Sequence, residues 1–182
     1  MKIISGKYKG RKIEGFDIDG TRPTMDRVKE SLFAVIQNFL DGSVVLDLFS
    51  GSGNLGLEAL SEGAKEAILV DKNKKACLTI SKNIKLLNIE EKVLIINSDY
   101  NNFLRNTDYK FNIIFLDPPY KTDYIDKSIK LIEKNDLLDK DGIIICESND
   151  LEKIVYSNSF EEIKNKKYGD KYIVILKKIW YY

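Results

Sequence analysis

Short runs of apolar residues alternate along the chain with segments whose apolar positions recur every three or four residues. The runs lie at residues 44–48, 67–71, 93–97, 111–116 and 142–147, and each has the length of a buried strand. The segments between them have the period of amphipathic helices. Strand and helix in repeated alternation predict an α/β fold whose doubly wound sheet is mostly parallel.

The first predicted helix spans residues 25–40, and Thr24 is its expected N-cap. A packing role is expected for its apolar stripe, which consists of Val28, Leu32, Val35, Ile36 and Phe39. Two more helices are predicted, one from after Gly56 to about Glu62 and one over 124–134. Another helix is predicted after the strand at 67–71, and the residues on its apolar face are Ala76, Cys77, Ile80, Ile84 and Leu87.

The C-terminal part of the chain predicts a β-hairpin. Residues 159–167 alternate weakly between apolar and polar positions, and residues 172–176 form a clear apolar strand. The turn between them is expected around Tyr168-Gly169-Asp170.

The opening segment, residues 1–20, is interrupted by glycines, which favours short strands and turns over helix. We therefore predict a basic N-terminal β-hairpin extension over 1–20 and a main domain over 21–182. Five basic residues and no acid fall in the first twelve positions, around Tyr8: Lys2, Lys7, Lys9, Arg11 and Lys12. Such a mixture suits contact with a nucleic-acid backbone. A solvated charged hairpin would explain the same residues equally well.

Composition excludes several classes of enzyme. The chain of 182 residues contains no histidine, so Ser/His and Cys/His nucleophiles and histidine metal sites are excluded. Cys77 and Cys146 do not have metal-binding spacing, and we expect reduced core residues and no metal. No apolar run approaches membrane-spanning length, so a cytoplasmic protein without membrane contact is expected. The net charge of +1 means that any nucleic-acid surface must be local.

The run at 44–48 leads into Phe49-Ser50-Gly51-Ser52-Gly53 and then into a predicted helix. A strand, a glycine-rich turn and a helix are typical of a nucleotide site, because the turn lets a ligand approach the helix N-terminus. Asp71 ends the next strand, twenty residues after Gly51. That spacing suits a carboxylate bound to a ribose diol. The pattern alone fits a nicotinamide dehydrogenase equally well.

Asp117-Pro118-Pro119-Tyr120 follows the strand at 111–116. The Asp117 carboxylate and the Pro118 carbonyl are two hydrogen-bond acceptors, which suit one amino group. Pro119 confines the backbone to an extended geometry, and Tyr120 offers a flat face for a heterocycle. The chemistry indicated is alkylation of a base on its exocyclic nitrogen. The alternative is a rigid turn in which Asp117 caps the next helix and Tyr120 packs on the core.

Three features together distinguish the chain from a dehydrogenase. The glycine turn follows Asp47, a strand-end acid; Asp99 and Asp117 present two more acids to the same edge; and Asp-Pro-Pro-Tyr has no role in hydride transfer. The set resembles the class I S-adenosylmethionine-dependent methyltransferases. Over nearly its whole length the chain is similar to the RsmD-type family of bacterial enzymes that methylate guanine N2 in small-subunit ribosomal RNA.

The resemblance is carried by several motifs. They are IISGKYKGRK at 3–12, RPTMDRVKESLF at 22–33, LDLFSGSG at 46–53, GLEAL at 56–60, DPPY at 117–120 and Glu147. The chain departs from the family pattern at Lys9 and Lys29, where arginine is common, and at Asn54, where a small residue is common.

The resemblance implies a seven-stranded Rossmann-like methyltransferase sheet and S-adenosyl-L-methionine as the cofactor. It implies cofactor contacts from the 49–53 turn and from Asp71 to the ribose and Asp99 to the adenine; capping of the next helix is equally open for Asp99. The cofactor-binding set is Asp47, Phe49, Gly51, Ser52, Gly53, Asp71 and Asp99. The catalytic set is Asp117, Pro118, Pro119 and Tyr120.

The implied substrate is 16S ribosomal RNA, within the small ribosomal subunit or an assembly intermediate. The implied RNA-binding residues are Lys2, Lys7, Tyr8, Lys9, Arg11, Lys12 and Arg22. Two other functions remain open: a methyltransferase acting on adenine N6 in DNA or RNA, and a non-catalytic RNA-binding assembly factor. The first would be expected to carry an added target-recognition segment and the second to lose Asp117 or the glycine turn.

Overall fold

The computed structural model describes residues 1–16 and 23–180, with side chains in the second range from Met25 onward. Seven strands form one sheet in the order β3-β2-β1-β4-β5-β7-β6. The strands are β1 Val44–Asp47, β2 Glu66–Asp71, β3 Val93–Asn97, β4 Phe111–Leu116, β5 Leu138–Ser148, β6 Phe160–Tyr168 and β7 Lys171–Lys178. The helices are α1 Pro23–Val35, α2 Gln37–Leu40, α3 Asn54–Ser61, α4 Lys74–Leu87, α5 Tyr100–Asn106 and α6 Tyr124–Lys134. Short 3-10 turns cover Glu90–Lys92 and Leu151–Lys153.

The sheet is mixed in direction. Strands β3, β2, β1, β4 and β5 pair in parallel, whereas β7 pairs antiparallel with both β5 and β6. The predicted doubly wound, mostly parallel sheet of seven strands is confirmed, and so is the C-terminal hairpin. Because β1 to β4 are each followed by a helix, their carboxyl ends and the end of β5 open onto one edge.

Apolar residues cover both faces of the sheet. On one face, Phe33 of α1 and Leu57 of α3 pack with Ile113 and Ile175 of the strands. On the other face, Phe103 of α5 and Ile129 of α6 pack with Ile114 and Val174. Alternate residues of β1, β2, β4, β5 and β7 therefore enter opposite cores, as the near-continuous apolar runs of the parallel strands predicted.

The first predicted helix is wrong in its details. It begins at Pro23, so Thr24 lies in its first turn and not before it, and it breaks at Ile36, where α2 takes over. Val35 is exposed, whereas Phe33 and Leu40 are buried with Leu32 and Ile36. The break lets residues on both sides of it reach the core.

The opening segment turns back on itself through a single antiparallel bridge between Lys2 and Lys12, which is less than the two regular strands of a hairpin. Ile3 and Ile13 are buried in the same core as the sheet. The division into an extension over 1–20 and a domain over 21–182 stays a prediction. Residues 17–22, including Arg22, lie outside the described part of the chain.

Strand β5 begins at Leu138, four residues before the predicted apolar run, because Leu138 pairs with Phe111. Neither cysteine forms a disulfide; Cys146 is buried, whereas Cys77 is only partly buried and is not the core residue expected. Across residues 1–16 and 23–180, the helices are all too short or too polar to cross a membrane.

Candidate active site at the carboxyl edge of the sheet

Three acids meet at the carboxyl edge. Asp47 ends β1, Asp71 ends the neighbouring β2, and Asp117 follows β4 on the other side of β1. Register pairs Asp47 with Leu69 and with Phe115, so Asp71 and Asp117 each lie two residues, about 6.6 Å, farther along the strand direction than Asp47. The expectation that parallel strand ends would gather these residues therefore agrees with their placement.

Asp71 fixes the glycine turn. Its Oδ2 accepts a hydrogen bond of 2.9 Å from the Gly51 N–H, and its Oδ1 accepts one of 2.8 Å from the Asn73 N–H. Gly51 has φ +55, and a Cβ added there would meet no atom of the described residues within 4 Å. The turn thus presents open space where a side chain would otherwise stand.

The back of the turn is closely packed. A Cβ on Gly56 would lie only 2.3 Å from Cδ2 of Leu69, so the first turn of α3 sits directly against β2. Gly53 has φ +84, and a Cβ added there would lie 3.1 Å from Cδ1 of Leu69. Ser52, just before Gly53, is buried. The glycines hold the turn down on the sheet while leaving its outer side open.

Asp47 is almost fully buried and accepts a 3.1 Å hydrogen bond at Oδ2 from the Gly56 N–H. Burial raises the pKa of Asp47 to about 7, the Gly56 N–H opposes this rise, and the nearby Asp71 charge adds to it. A cation bound at this edge would relieve the repulsion and favour the ionised form of Asp47.

Asn83 connects the turn to the opening segment. Its Nδ2 donates to the carbonyls of Ser52 and Glu14, and its Oδ1 accepts from the Glu14 N–H at 2.7 Å. Asn83 is fully buried. We did not predict this residue, although a polar side chain on the stripe that includes Ile80 and Leu87 is a signal that could have identified it.

An aromatic cluster borders the site beside the glycine turn. The ring of Phe49 stacks on Tyr124, with centroids 6.0 Å apart and planes 4° apart, and Tyr100 lies 4.7 Å from Tyr124. Asp99, just before Tyr100, accepts a 2.8 Å hydrogen bond at Oδ1 from the Asn102 N–H and so caps α5. The capping role held open for Asp99 is present; its second oxygen is not used in this cap.

The Asp-Pro-Pro-Tyr loop leaves β4 at the edge. Asp117 is half-buried, Pro118 is buried, and the Tyr120 side chain is 43% exposed. Thr122 donates from Oγ1 to the Pro119 carbonyl at 2.9 Å, which stabilises the turn. Asp123, and not Asp117, occupies the N-cap of α6, and Tyr120 lies outside the core. The structure therefore disagrees with both parts of the purely structural alternative.

Two residues that were not among the predicted site residues, Lys171 and Glu147, lie near Asp117. Lys171 of β7 places its Nζ 2.9 Å from Oε1 of Glu147, at the end of β5. The pKa of Asp117 is raised well above its usual range, first by burial and then by Glu147, while Lys171 opposes the rise. The acids raise the pKa of Lys171, against the effect of its burial. The sequence could not reveal this lysine, since the contact depends on the pairing of β7 with β5.

Six of the seven predicted RNA-binding residues lie on the opening segment, and the five basic side chains among them are exposed; the seventh, Arg22, lies outside the described residues. Lys7 places its Nζ 5.6 Å from the centroid of the half-buried Tyr8 ring. Arg11 donates from its guanidinium to the Leu86 carbonyl in the last turn of α4, so part of its role is structural. The segment shares one face of the molecule with α1 and α3.

The opening segment is attached by a buried ion pair. Lys29 and Glu58 are 3% and 1% exposed, and Lys29 Nζ lies 2.9 Å from Glu58 Oε1. Glu58 accepts the backbone N–H groups of Ile4 and Ser5, and Lys29 donates to Asn54 Oδ1 at 2.8 Å. Two of the three positions at which the chain departs from the family pattern, 29 and 54, are therefore in direct contact.

Among residues 1–16 and 23–180, no three Cys, Asp or Glu side chains are grouped so that they could hold a metal ion. The expectation of a metal-free site stays a prediction.

The comparisons with known proteins agree with this geometry. A family model described as Conserved hypothetical protein 95 matches residues 1–177. The chain is 39% identical to ribosomal RNA small subunit methyltransferase D of Buchnera aphidicola over 164 residues, which is 90% of this chain and 86% of the relative. It is 36% identical to the protein of that name from Escherichia coli over 148 residues, or 81% and 74% of the two chains.

Solved structures give the same result. The candidate methyltransferase yhhF of Escherichia coli superposes with a TM-score of 0.88 at 31% identity, covering 98% of this chain and 97% of that one. The candidate methylase HI0767 of Haemophilus influenzae gives a TM-score of 0.85 at 28% identity, with 98% of each chain covered. The chain therefore belongs to the Conserved hypothetical protein 95 family, whose members include ribosomal RNA small subunit methyltransferase D.

Proposed function

We propose that this protein is an S-adenosyl-L-methionine-dependent methyltransferase acting on the exocyclic N2 amine of a guanine in small-subunit (16S) ribosomal RNA. The observation that carries the proposal is the position of Asp117 at the same sheet edge as the glycine turn, Asp47 and Asp71. The relatives named ribosomal RNA small subunit methyltransferase D support the substrate class. The site of action is the cytoplasm, on the small subunit or an assembly intermediate.

The residues at this edge fit the cofactor by their chemistry. Each oxygen of Asp71 has a second lone-pair position beyond the N–H bond it accepts, so ribose hydroxyls can still bind there. The open side of the turn at Gly51, next to Ser52, would hold the methionine part, and Asp47 favours a positively charged ligand. Phe49 and its neighbouring tyrosines supply an apolar wall for the adenine, with the unused oxygen of Asp99 beside it.

The chemistry requires little more than positioning. When bound, the cofactor supplies a methyl group already activated by its sulfonium. Asp117 and the Pro118 carbonyl accept the two hydrogens of the guanine amine and turn its lone pair toward the incoming carbon. With the cofactor bound, the N–C bond would form as the S–C bond broke, and the bonding electrons of the S–C bond would stay on sulfur. The product nitrogen then loses one proton.

Asp117 is suited to receive that proton. Its pKa lies above the usual carboxylate range because of burial and Glu147, which makes its ionised form a better base than an exposed aspartate. Water is the other acceptor. Tyr120, exposed at the loop, offers its ring for stacking on the target base, and Pro119 keeps the loop rigid.

A guanine in a stem must leave its stack to reach this edge, so an exposed loop nucleotide is the favoured target. The decisive experiment supplies labelled cofactor with either in vitro transcribed small-subunit RNA or isolated small subunits. The product nucleoside is then identified by mass spectrometry. We expect N2-methylguanosine.

The other outcomes of this experiment separate the alternatives. N6-methyladenosine as the product would contradict the guanine assignment. It is the main alternative because the two acceptors at 117 and 118 can bind any exocyclic amine. RNA binding without any methylated product, on either substrate, would overturn the enzyme and support a non-catalytic assembly factor.

A further inference from the structure

The basic half of the C-terminal hairpin carries a charge pattern that the active site does not explain. Strand β6 is exposed on both faces from Glu161 to Lys167. Its two acids, Glu161 and Glu162, lie in the half remote from the carboxyl edge. Its three lysines, Lys164, Lys166 and Lys167, lie in the half near that edge.

These three lysines are not neutralised by neighbours. Within the described ranges 1–16 and 23–180, none of them lies within ion-pair distance of an acid. At the other end of the same hairpin the situation is reversed, since Lys177 pairs with Asp141 and Lys178 with Asp136. Free positive charge is thus concentrated at the end of the hairpin nearest the active site.

Register places this charge in line with the proposed catalytic residue. Lys166 is opposite Ile173, and Ile173 is opposite Glu147, so the three side chains share one face of the sheet. Leu116 pairs with Cys146, which puts Asp117 next to Glu147 in the same row. Three strand spacings, about 14 Å in total, separate Lys166 from Asp117.

The tip of the hairpin is held in place and bears aromatic rings. Tyr168 shares a 2.6 Å hydrogen bond through its hydroxyl with Oγ of Ser31 on α1. Lys166 Nζ lies 4.9 Å from the centroid of the Tyr168 ring, and Lys167 Nζ lies 5.5 Å from that of Tyr172. Positive charges combined with half-buried rings at a fixed position match the chemistry of single-stranded nucleic acid.

We propose that the tip of the hairpin, with Lys164, Lys166 and Tyr168 on one face of the sheet and Lys167 and Tyr172 on the other, binds the RNA strand on one side of the target nucleotide. The inference rests on the proposed function, because it places the phosphates that flank a base held at Asp117. The hairpin would then be a second basic surface, separate from the opening segment. Ile3 and Ile13 of the opening segment pack on the same face of the sheet as Ile173. The target nucleotide would lie between the two surfaces.

The test is the triple variant Lys164→Gln, Lys166→Gln and Lys167→Gln. Its matched control is Lys65→Gln, Lys92→Gln and Lys134→Gln, which removes the same charge from the opposite edge, before β2, before β3 and at the end of α6. Binding to in vitro transcribed small-subunit RNA and to isolated small subunits is measured over a range of salt concentrations. Methyl transfer and S-adenosylhomocysteine affinity are measured alongside.

For the hairpin variant, the slope of log affinity against log salt should fall by about 2 to 3, at about 0.7 to 0.9 per phosphate contact. KM for RNA should rise more than tenfold, with kcat at saturating RNA and cofactor affinity unchanged. If the slope of log affinity against log salt is the same for the hairpin variant and the control variant, the proposal is overturned. Weaker binding to subunits with normal binding to protein-free RNA would also overturn it, since the contact would then be with a ribosomal protein. A wild type that methylates neither substrate contradicts the proposed function instead.

Discussion

Lys171 at the start of β7 lies 2.9 Å from Glu147 at the end of β5, beside the point where Asp117 leaves β4. The pair joins the antiparallel end of the sheet to its parallel part. Because Lys171 carries the positive charge that opposes the raised pKa of Asp117, it acts on the proposed catalytic carboxylate without needing to touch the substrate. It is a positioning residue.

The first prediction concerns pH. Asp117 accepts the amine hydrogens in its ionised form, so methyl transfer should fall as pH drops through its raised pKa. Replacing Lys171 with Met removes the opposing charge, raises the pKa further and shifts this acid limb to higher pH. At neutral pH we expect a several-fold loss of single-turnover rate that is recovered in alkaline buffer.

Lys177→Met is the matched control for the pH profile. Lys177 lies on the same strand with the same side-chain exposure, 31%, and pairs with Asp141 away from the site. Its profile should match the wild type. An acid limb that stays in place in Lys171→Met would show that the lysine only supports the fold.

The second prediction separates catalysis from cofactor binding. Asp117→Ala should abolish methyl transfer, because one of the two acceptors for the amine is lost, and should leave S-adenosylhomocysteine affinity within a few fold. Thermal stability should not fall, since the substitution removes a carboxylate whose ionised form is disfavoured by burial and by the charge of Glu147. Single-turnover kinetics, calorimetry and a melting curve measure the three quantities. Retention of most of the rate would contradict the role given to Asp117.

How far the sequence predicts this site depends on what kind of contact is involved. Asp47, Asp71 and Asp117 were predictable, because each ends a clear apolar run and parallel strands bring their carboxyl ends to one edge. Lys171 was not, because it meets Glu147 only through antiparallel pairing of strands far apart in the chain. The Lys29–Glu58 pair was hidden because it depends on contact between α1 and α3, and amphipathic helices usually keep such charges in solvent.

The third prediction follows from the pKa of Asp47, which burial raises to about 7. A cationic cofactor favours the ionised carboxylate, so its affinity should increase from pH 6 to pH 8, and its binding should release protons at pH 6.5. Asp47→Asn should lose this dependence. Calorimetry in two buffers of different ionisation enthalpy measures the protons released. Identical pH profiles for both proteins would contradict the linkage.

The raised pKa of Asp47 has the opposite effect on the stability of the ligand-free protein, which should decrease as pH rises. Because the folded pKa of Asp47 lies above the unfolded value, the folded state binds more protons between about pH 4 and pH 7. This contribution stabilises the protein at low pH and is lost as pH rises through the folded pKa. Asp47→Asn should therefore unfold at higher urea concentration than the wild type at pH 8, and the difference should shrink at pH 5.

The fourth prediction concerns Asp71, which has two functions. It holds the Gly51 N–H and, in the proposed complex, the ribose hydroxyls. Asp71→Ala should weaken cofactor binding by about 1.5 to 3 kcal/mol, the range for hydrogen bonds to a charged group. Adenosine, which keeps the ribose and lacks the methionine part, should lose affinity as well. Unchanged affinity for S-adenosylhomocysteine would limit Asp71 to supporting the turn.

The last prediction concerns the buried pair that attaches the opening segment. Lys29→Met leaves Glu58 charged, buried and without its cation, so unfolding free energy should fall by about 3 to 5 kcal/mol. Lys82→Met is the control: its partner Glu14 is 55% exposed and Lys82 itself is 67% exposed, a pair worth at most about 1 kcal/mol. The double variant Lys29→Met, Glu58→Gln should recover part of the loss, because the unpaired charge is gone. Urea unfolding measures the stability of all three variants.

Limited proteolysis should cut the opening segment of Lys29→Met first, since Glu58 also holds the Ile4 and Ser5 N–H groups. Equal stability of Lys29→Met and Lys82→Met would mean that the opening segment is held by its apolar residues Ile3 and Ile13 alone.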